Sequence, residues 1–561
     1  MKLAALMDFP DDARHIFYES TMHAMMERLR QAGVSRVYLQ YYGTKDYGLF
    51  WNHKAPTHRE IAKTGELLPE YSSVFVEAAK KHGMETAVIM KPQEQGIWQT
   101  FSPYYAESRE NPGINYIGGK LLMITNFVRN NPQLRIKRRT WDIDPDADKK
   151  IVKTVRLFKQ NNIHTRIKKE NIGIYISENN ANYKKYDKDF EVTYSIRTAG
   201  SDTISGSFSK DYAVDTITKK GEDIEVITIS GISVKEKFIA IEVSCKGKTD
   251  KDRHFTNVPI KTIAIFDADG NEICASQGHA SRFCPKDIPF LDAGFHFDDG
   301  FGEYFPETLD PDEGTGYAAI CKGKDEYIHT SLCECEPEVM DHWIHWQETA
   351  MDDGFDMVGN RIENHSCHVD EPFAYGNNDC IKEEYFRRFG LCSEKEMSTE
   401  GISIIRGDAY TELFKKSAET ARRRGRKFIL TLNVEMLYDP IPVARHMAYP
   451  MNVEWQWERW IEETQPDEIN IRSYQMSPGF ILNDPQCRHI LDTARGTGIP
   501  MTLERYDYWD FAEDFKMVRD TGIFSSMTLY ETNNIIQSDG KGGIVEIKPG
   551  LLKQLEKLAA K

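Results

Sequence analysis

Several features are missing from this chain, and each absence excludes something. No stretch of its 561 residues approaches the ~20 continuous apolar residues of a membrane-spanning helix, so a helical membrane protein is excluded. No glycine-rich phosphate turn follows the first apolar run, where Asp8 leads into Phe9, Pro10 and two more acids. That counts against a doubly wound nucleotide-binding sheet. Positive charge is scarce, with 71 lysines and arginines against 87 acids and a net charge of −16. Such a balance repels a phosphate backbone, and no nucleic acid partner is expected. The opening run over 3–7 is too short for a signal h-region and meets Asp8, Asp11 and Asp12, so the expected location is cytoplasmic. There is no internal repeat and no low-complexity tract.

The ten cysteines are scattered, and no CxxC pairs with another, which excludes a zinc-ribbon or disulfide-framework protein. Cys333-Glu334-Cys335 and Cys367-His368 have soft-metal ligand types, but neither has a matching second pair nearby. The reading is free or structural thiols, with no metal and no cofactor.

What is present is a globular composition. Apolar residues at 40% and charged residues at 28% can bury a core and do not fit disorder. The length points to two or three folding units. Apolar periodicity gives a strand at 2–8, a helix at 20–32, a strand at 37–42, a helix at 70–82 stopped by Gly83, and a strand at 86–90.

From about 95 to 330 the texture changes to lysine-rich stretches and period-two strands. These lie at 172–176, 190–196, 224–229, 238–243 and 260–265, with a turn at Asp269-Gly270-Asn271. They predict a β-sandwich over 165–280, between a connecting segment (96–164) and a return linker (281–335).

The βα rhythm then resumes. Helices are predicted at 336–351, 381–389, 410–424, 453–464, 485–495, 511–519 and 551–560, and strands at 355–361, 427–433, 468–472, 500–503 and 526–530. Three strands before the insertion and five after it make eight. The expected fold is therefore an α/β TIM (β/α)8 barrel built from 1–95 and 336–561, with a large inserted β-sandwich after strand three.

Such barrels place their chemistry at the C-terminal ends of the strands. Those ends are unusually polar here. Glu363, Glu435, Glu504 and Glu531 follow four different strands, and cleavage of a glycosidic bond needs one carboxylic acid to protonate the leaving oxygen and a second carboxylate to attack or activate water. The competing reading is that each is a salt-bridge partner for neighbouring arginines.

Lys91, Arg361, Arg472 and Arg505 bring positive charge to the same rim. They suit an anionic sugar such as a uronate or sialate, or else they pair with the glutamates. Both readings stay open. His365 follows Arg361 and Glu363 and could act as an acid or orient a carboxylate; Asp370 and Glu371 read as loop-capping or subsite residues. Tyr41, Trp51, Trp98, Tyr438, Tyr474, Tyr506 and Tyr530 offer flat faces for the C–H side of a sugar ring.

The residues Pro337-Glu-Val-Met, Gly354-Phe-Asp-Met-Val-Gly-Asn-Arg361, His365-Ser366, Tyr375-Gly-Asn-Asn-Asp379 and Glu384-Tyr-Phe-Arg-Arg-Phe-Gly390 resemble the fourth-strand region of glycoside-hydrolase-like (β/α)8 barrels from polysaccharide-degrading bacteria. The resemblance covers about 60 residues. It implies a carbohydrate-active enzyme. Many retaining barrel glycosidases carry Asn-Glu at the end of strand four and a glutamate at the end of strand seven. This chain has Glu363-Asn364, the reverse order, at the first position and Glu504 at the second.

The expectation is thus a glycoside hydrolase with Glu504 and Glu363 as its carboxylate pair and Glu435 as the substitute. Asp8, Tyr41, Lys91, Arg361, His365, Arg472, Tyr474 and Glu531 would line the sugar subsite. The alternatives are a barrel that binds carbohydrate without cleaving it, and a lyase or metal-assisted hydrolase on the same fold. A carbohydrate is the expected partner, no membrane is, and the insertion is expected to wall the cleft or to join copies in a homo-oligomer.

Overall fold

The computed structural model describes residues 1–8, 17–41, 47–48, 64, 67–93, 95–100, 119–143, 145–160, 168–179, 183–198, 203–205, 215–218, 221, 223–244, 260–273, 295–296, 315–323, 326–362, 372–390, 393–438, 452–473, 476–505, 510–538 and 545–559. Eight parallel strands close on themselves: β1 (Lys2–Asp8), β2 (Val34–Tyr41), β3 (Glu85–Met90), β4 (Met357–Asn360), β5 (Lys427–Asn433), β6 (Glu468–Arg472), β7 (Met501–Arg505) and β8 (Ser526–Tyr530). Their spatial order is their chain order, and β8 pairs with β1 to complete the ring. This is the (β/α)8 barrel that the sequence predicts.

Helices surround the barrel: α1 (Glu19–Gln31), α2 (Tyr71–Lys81), α3 (Pro337–Asp352), α4 (Asp379–Phe389), α5 (Thr399–Arg423), α6 (Trp457–Thr464), α7 (Pro485–Gly496), α8 (Phe511–Thr521) and α9 (Pro549–Ala559). In α1, Met22, Met25, Met26 and Leu29 are buried at the three- and four-residue spacing of one helix face. Among the helices, the largest departure from the predicted boundaries is α5, which begins at Thr399 rather than at 410. Its first turns hold Gly401 and Gly407, which weaken the apparent helix signal. The structure gives the reason for both: a Cβ at Gly401 would lie 2.3 Å from the Tyr385 ring, and one at Gly407 would lie 2.6 Å from the Glu454 carbonyl oxygen.

Alternate residues of each strand point into the barrel. Ala4, Leu6, Tyr38, Ala87, Ile89, Met357, Ile429 and Tyr530 form the interior apolar cluster. At the N-terminal end the filling turns polar. Glu468 accepts from Arg36 Nη1 at 2.6 and 2.7 Å and from the Tyr38 hydroxyl at 3.1 Å, and Arg36 Nη2 also lies 2.9 Å from Glu85. Burial pushes the Tyr38 hydroxyl well above the ordinary tyrosine range.

Between β3 and α3 the chain leaves the barrel. One antiparallel sheet orders Glu191–Thr198, Asp223–Val234, Val152–Gln160 and Ile260–Phe266; another orders Lys184–Lys185, Ile172–Ser177, Phe238–Ser244, Thr315–Cys321 and Phe295–His296. Strands at 152–160 and 315–321 therefore carry these sheets beyond the expected 165–280 on both sides. Tyr175, Phe238 and Cys321 share one buried apolar cluster with Val128 and Trp343, so the second sheet packs into the barrel's own outer core. Among the described residues no helix is long and apolar enough to cross a membrane.

Where α3 meets the short helix Asn126–Asn130, His342 stacks flat on Phe127, with ring centroids 3.8 Å apart. Burial there, with a smaller contribution from His345, lowers the His342 pKa from 6.5 to about 4. The folded protein thus binds this proton less readily than the unfolded chain. The stabilisation is complete above pH 6.5 and is lost as pH falls toward 4, by about 3 kcal/mol. Denaturant midpoints measured across that window should fall with acid in the wild type and fall less in His342→Phe.

Candidate active site

The C-terminal ends of the strands hold a buried polar layer. Gln40, Lys91, Arg361, Asn433, Arg472, Glu504 and Tyr530, from seven of the eight strands or the residue just beyond, are each at most 5% exposed. Glu435 stands just beyond β5 and is fully buried. Removal from water strengthens every charge interaction among these groups.

Glu504 ends the inward row of β7. Its Oε1 lies 3.1 Å from Arg472 Nε and 3.8 Å from Arg361 Nη1, and its Oε2 accepts from Asn470 Nδ2 at 3.1 Å. Arg361, just past β4, donates through Nη2 to Gln40 Oε1 at 2.9 Å and to the Tyr530 hydroxyl at 2.7 Å. The guanidinium carbons of Arg361 and Arg472 lie 5.3 and 5.2 Å from the centre of the Tyr530 ring, within cation–π range. These contacts realise the pairing of arginine with glutamate that the sequence left open.

Glu435 is held by different chemistry. Asn433 caps the 3-10 turn Val434–Leu437, its Oδ1 accepting from the Glu435 amide at 2.9 Å. This turn carries the glutamate past the strand end. The Ser473 hydroxyl donates to Glu435 Oε1 at 2.5 Å and accepts from the Met476 amide at 2.8 Å. Arg472 and Ser473 are consecutive, so the end of β6 contacts both acids: Glu504 from the following strand and Glu435 from the preceding one.

Other predicted site residues fare differently. Arg505 is a correction. The strand pleat sends neighbours to opposite faces, and Arg505 turns outward to Asp514 on α8, with Nε 2.8 Å from Oδ2. Tyr438 also leaves the rim, donating its hydroxyl to Asp484 at the start of α7. Lys91 continues the inward row of Ala87 and Ile89 and is 1% exposed. The backbones of Asp8 and Tyr41 close β1 and β2, with Asp8 in register with Gln40. Trp98 lies in the strand Gly96–Thr100. Glu363, His365, Asp370, Glu371, Tyr474, Trp51, Tyr506 and the Cys367-His368 pair lie outside the described residues.

One contributor was missed by sequence reasoning, Asn470. Asn470 had a readable signal, a polar residue two positions before Arg472 on the same face of a strand buried throughout.

Glu531, directly after β8, has φ 71° and ψ 132°, a region that costs a residue with a Cβ roughly 1–3 kcal/mol. Such strain persists where surrounding structure imposes it, here beside Tyr530. Glu531→Gly is expected to raise stability by about 1 kcal/mol, while Glu531→Ala, which loses the same carboxylate but keeps the Cβ, should not. Thermal melts of the two variants isolate the strain.

A cavity of about 540 Å³ is lined by Met436, the residue after Glu435, together with Phe373, Ser403, Asn452, Glu454 and Trp455 among others.

No family model and no curated protein matches the chain. Among solved structures it is similar to a beta-galactosidase from the psychrophilic Marinomonas ef1 (8% identity over 100% of this chain and 59% of that one, TM-score 0.37). It is also similar to a rhamnosidase from Novosphingobium (9%, over 95% and 55%, TM-score 0.31) and to a sugar phosphate isomerase/epimerase from Parabacteroides distasonis (16%, over 41% and 68%, TM-score 0.20). The chain thus spans less than two thirds of the length of the first two. The barrel assignment stands on the strand pairing itself.

Proposed function

We propose that the chain is a glycoside hydrolase in which Glu504 is the nucleophile or base and Glu435 the proton donor. The observation that carries this reading is the pair of adjacent residues Arg472 and Ser473, each holding one of two buried carboxylates at the C-terminal end of a (β/α)8 barrel. The roles follow from the partners. Glu504 faces N–H donors, which suit a group that must present lone pairs. Glu435 faces a hydroxyl, which can give or take a hydrogen bond and so tolerates a carboxyl group that cycles its proton. The aromatic residues Phe373 and Trp455 beside Met436 suit the apolar face of a sugar ring.

The finer proposal, a uronic or sialic substrate, rests on Lys91, buried at the same rim as the Arg361 and Arg472 that pair with Glu504. Glu363 remains the rival proton donor. A panel of neutral, uronic and sialic chromogenic glycosides, assayed with wild type, Glu435→Gln and Glu363→Gln, decides between the acids: the true donor's variant loses turnover of poor leaving groups most. The anomer released first, read by NMR, fixes retention or inversion. Sugar binding with silence across the whole panel would favour the non-catalytic carbohydrate-binding barrel.

A further inference from the structure

Away from the barrel rim, three cysteines far apart in the sequence come together. Cys333 and Cys335 follow the strand Tyr327–Leu332, which closes the inserted region, and Cys380 is the second residue of α4. The Cys333 thiol interacts electrostatically with Cys335 and Cys380, and Cys380 with the Glu336 carboxylate. Ligand atoms of Cys333, Glu336 and Cys380 all lie within 4.8 Å of one another. A tetrahedral zinc with Zn–S bonds of about 2.3 Å sets its sulfurs about 3.8 Å apart, so small side-chain shifts would bring these atoms to ligating distance.

From this grouping we infer that Cys333, Cys380 and Glu336 form a structural zinc site, with Cys335, which lies outside the 4.8 Å group but neighbours Cys333, swinging in as the fourth ligand. Three soft thiolates and one carboxylate are a donor set that favours zinc over magnesium or calcium. The local frame suits it. Glu336 is the N-cap of α3, a helix of 16 residues, and Cys380 lies in the first turn of α4, a helix of 11, so both positive helix ends meet at the cluster. Asn378, the N-cap of α4, donates to the Arg135 carbonyl at 3.0 Å and to Glu336 Oε1 at 3.4 Å, which orients the carboxylate from behind as outer partners of metal ligands do.

Glu334, between the two cysteines, is committed elsewhere: it pairs with the buried Arg406 and accepts from Gln93 Nε2 at 3.0 Å. Its charge is therefore neutralised without the metal. Ile136, Ile328, Tyr375, Ile381 and Tyr385 complete a dry surrounding. The site would clamp the end of the insertion to the start of α4, on either side of β4 in the sequence. It is independent of the glycosidase reading.

The test is made on the full chain, purified under reducing conditions with zinc present and then dialysed. Elemental analysis should find one equivalent of zinc. Cobalt exchanged for it should show thiolate-to-cobalt charge transfer with the intense visible bands of a tetrahedral site. Cys380→Ser and Cys335→Ser should each lose most of the metal, whereas Cys487→Ser, altering a buried thiol next to Tyr438, should keep it. Chelation should lower the melting temperature of the wild type and leave that of Cys380→Ser unmoved. Should a variant fail to fold, the wild-type cobalt spectrum decides alone. A wild type that keeps no zinc, a cobalt spectrum without thiolate charge transfer, or a Cys333–Cys380 disulfide in the reduced preparation would overturn the proposal.

Discussion

Glu504→Gln is expected to lower kcat about 10³-fold, equal to about 4 kcal/mol of lost transition-state stabilisation, while sugar binding persists. The substitution keeps the side chain's size, and its amide oxygen can stay beside Arg472 Nε, which now lies 3.1 Å from Oε1. What it removes is the negative charge that, in the proposed mechanism, attacks or deprotonates. Arg361 and Arg472 lose a buried counter-charge at the same time, so some stability is lost as well. Rates are therefore to be compared at a temperature where circular dichroism shows both proteins folded. A rate near that of wild type would remove Glu504 from the mechanism. A fall in both binding and turnover would instead indicate that the two arginines had moved, and Asn470→Ala, which removes the donor to the other oxygen along with an acceptor of the Thr502 hydroxyl, serves as the milder control.

At the opposite end of the barrel, Glu468→Ala is expected to destabilise the protein by about 3 kcal/mol and to leave the rate per folded molecule unchanged. Breaking a buried ion pair by removing one partner costs about 3–5 kcal/mol, because the remaining charge stays in a poorly solvated site. The low end applies since Arg36 keeps Glu85 at 2.9 Å. Tyr38 would lose its acceptor as well. The double variant Arg36→Met with Glu468→Leu should recover most of the loss, since apolar groups of similar size often replace a buried pair without net cost. The measurement is the shift in denaturation midpoint beside kcat. If Glu468→Ala lowered kcat as much as stability, the floor and the rim of the barrel would be mechanically coupled, and Glu468 could no longer be read as purely structural.

These two glutamates show how far the residues alone could be read. Both Glu468 and Glu504 stand on short alternating strands, Glu468-Ile-Asn-Ile-Arg472 and Met501-Thr-Leu-Glu-Arg505, whose apolar residues join the outer core and whose polar ones, Arg505 apart, take the other face. Glu504 drew attention by its place at a strand end, and so did Arg505 beside it. Only the pleat, fixed by the pairing of β7 with β8, sends one inward to Arg472 and the other outward to Asp514. Glu468 gave no signal of its partner, since Arg36 lies 432 positions away.

The sequence by itself determined the count and order of the eight barrel strands, the place of the insertion after the third, and the polarity of the strand ends. Those depend on local periodicity, which each segment carries on its own. The tertiary structure decided what contacts what: that α5 starts at Thr399, where Gly401 and Gly407 admit Tyr385 and the Glu454 carbonyl; that Ser473 reaches Glu435; that the sheets of the insertion extend from 152 to 321; and that Cys380 meets Cys333. Each of these is a meeting of residues distant in the chain. Closing a barrel fixes strand register and with it which side chains share a layer, and that register is a property of the whole ring, not of any segment in it.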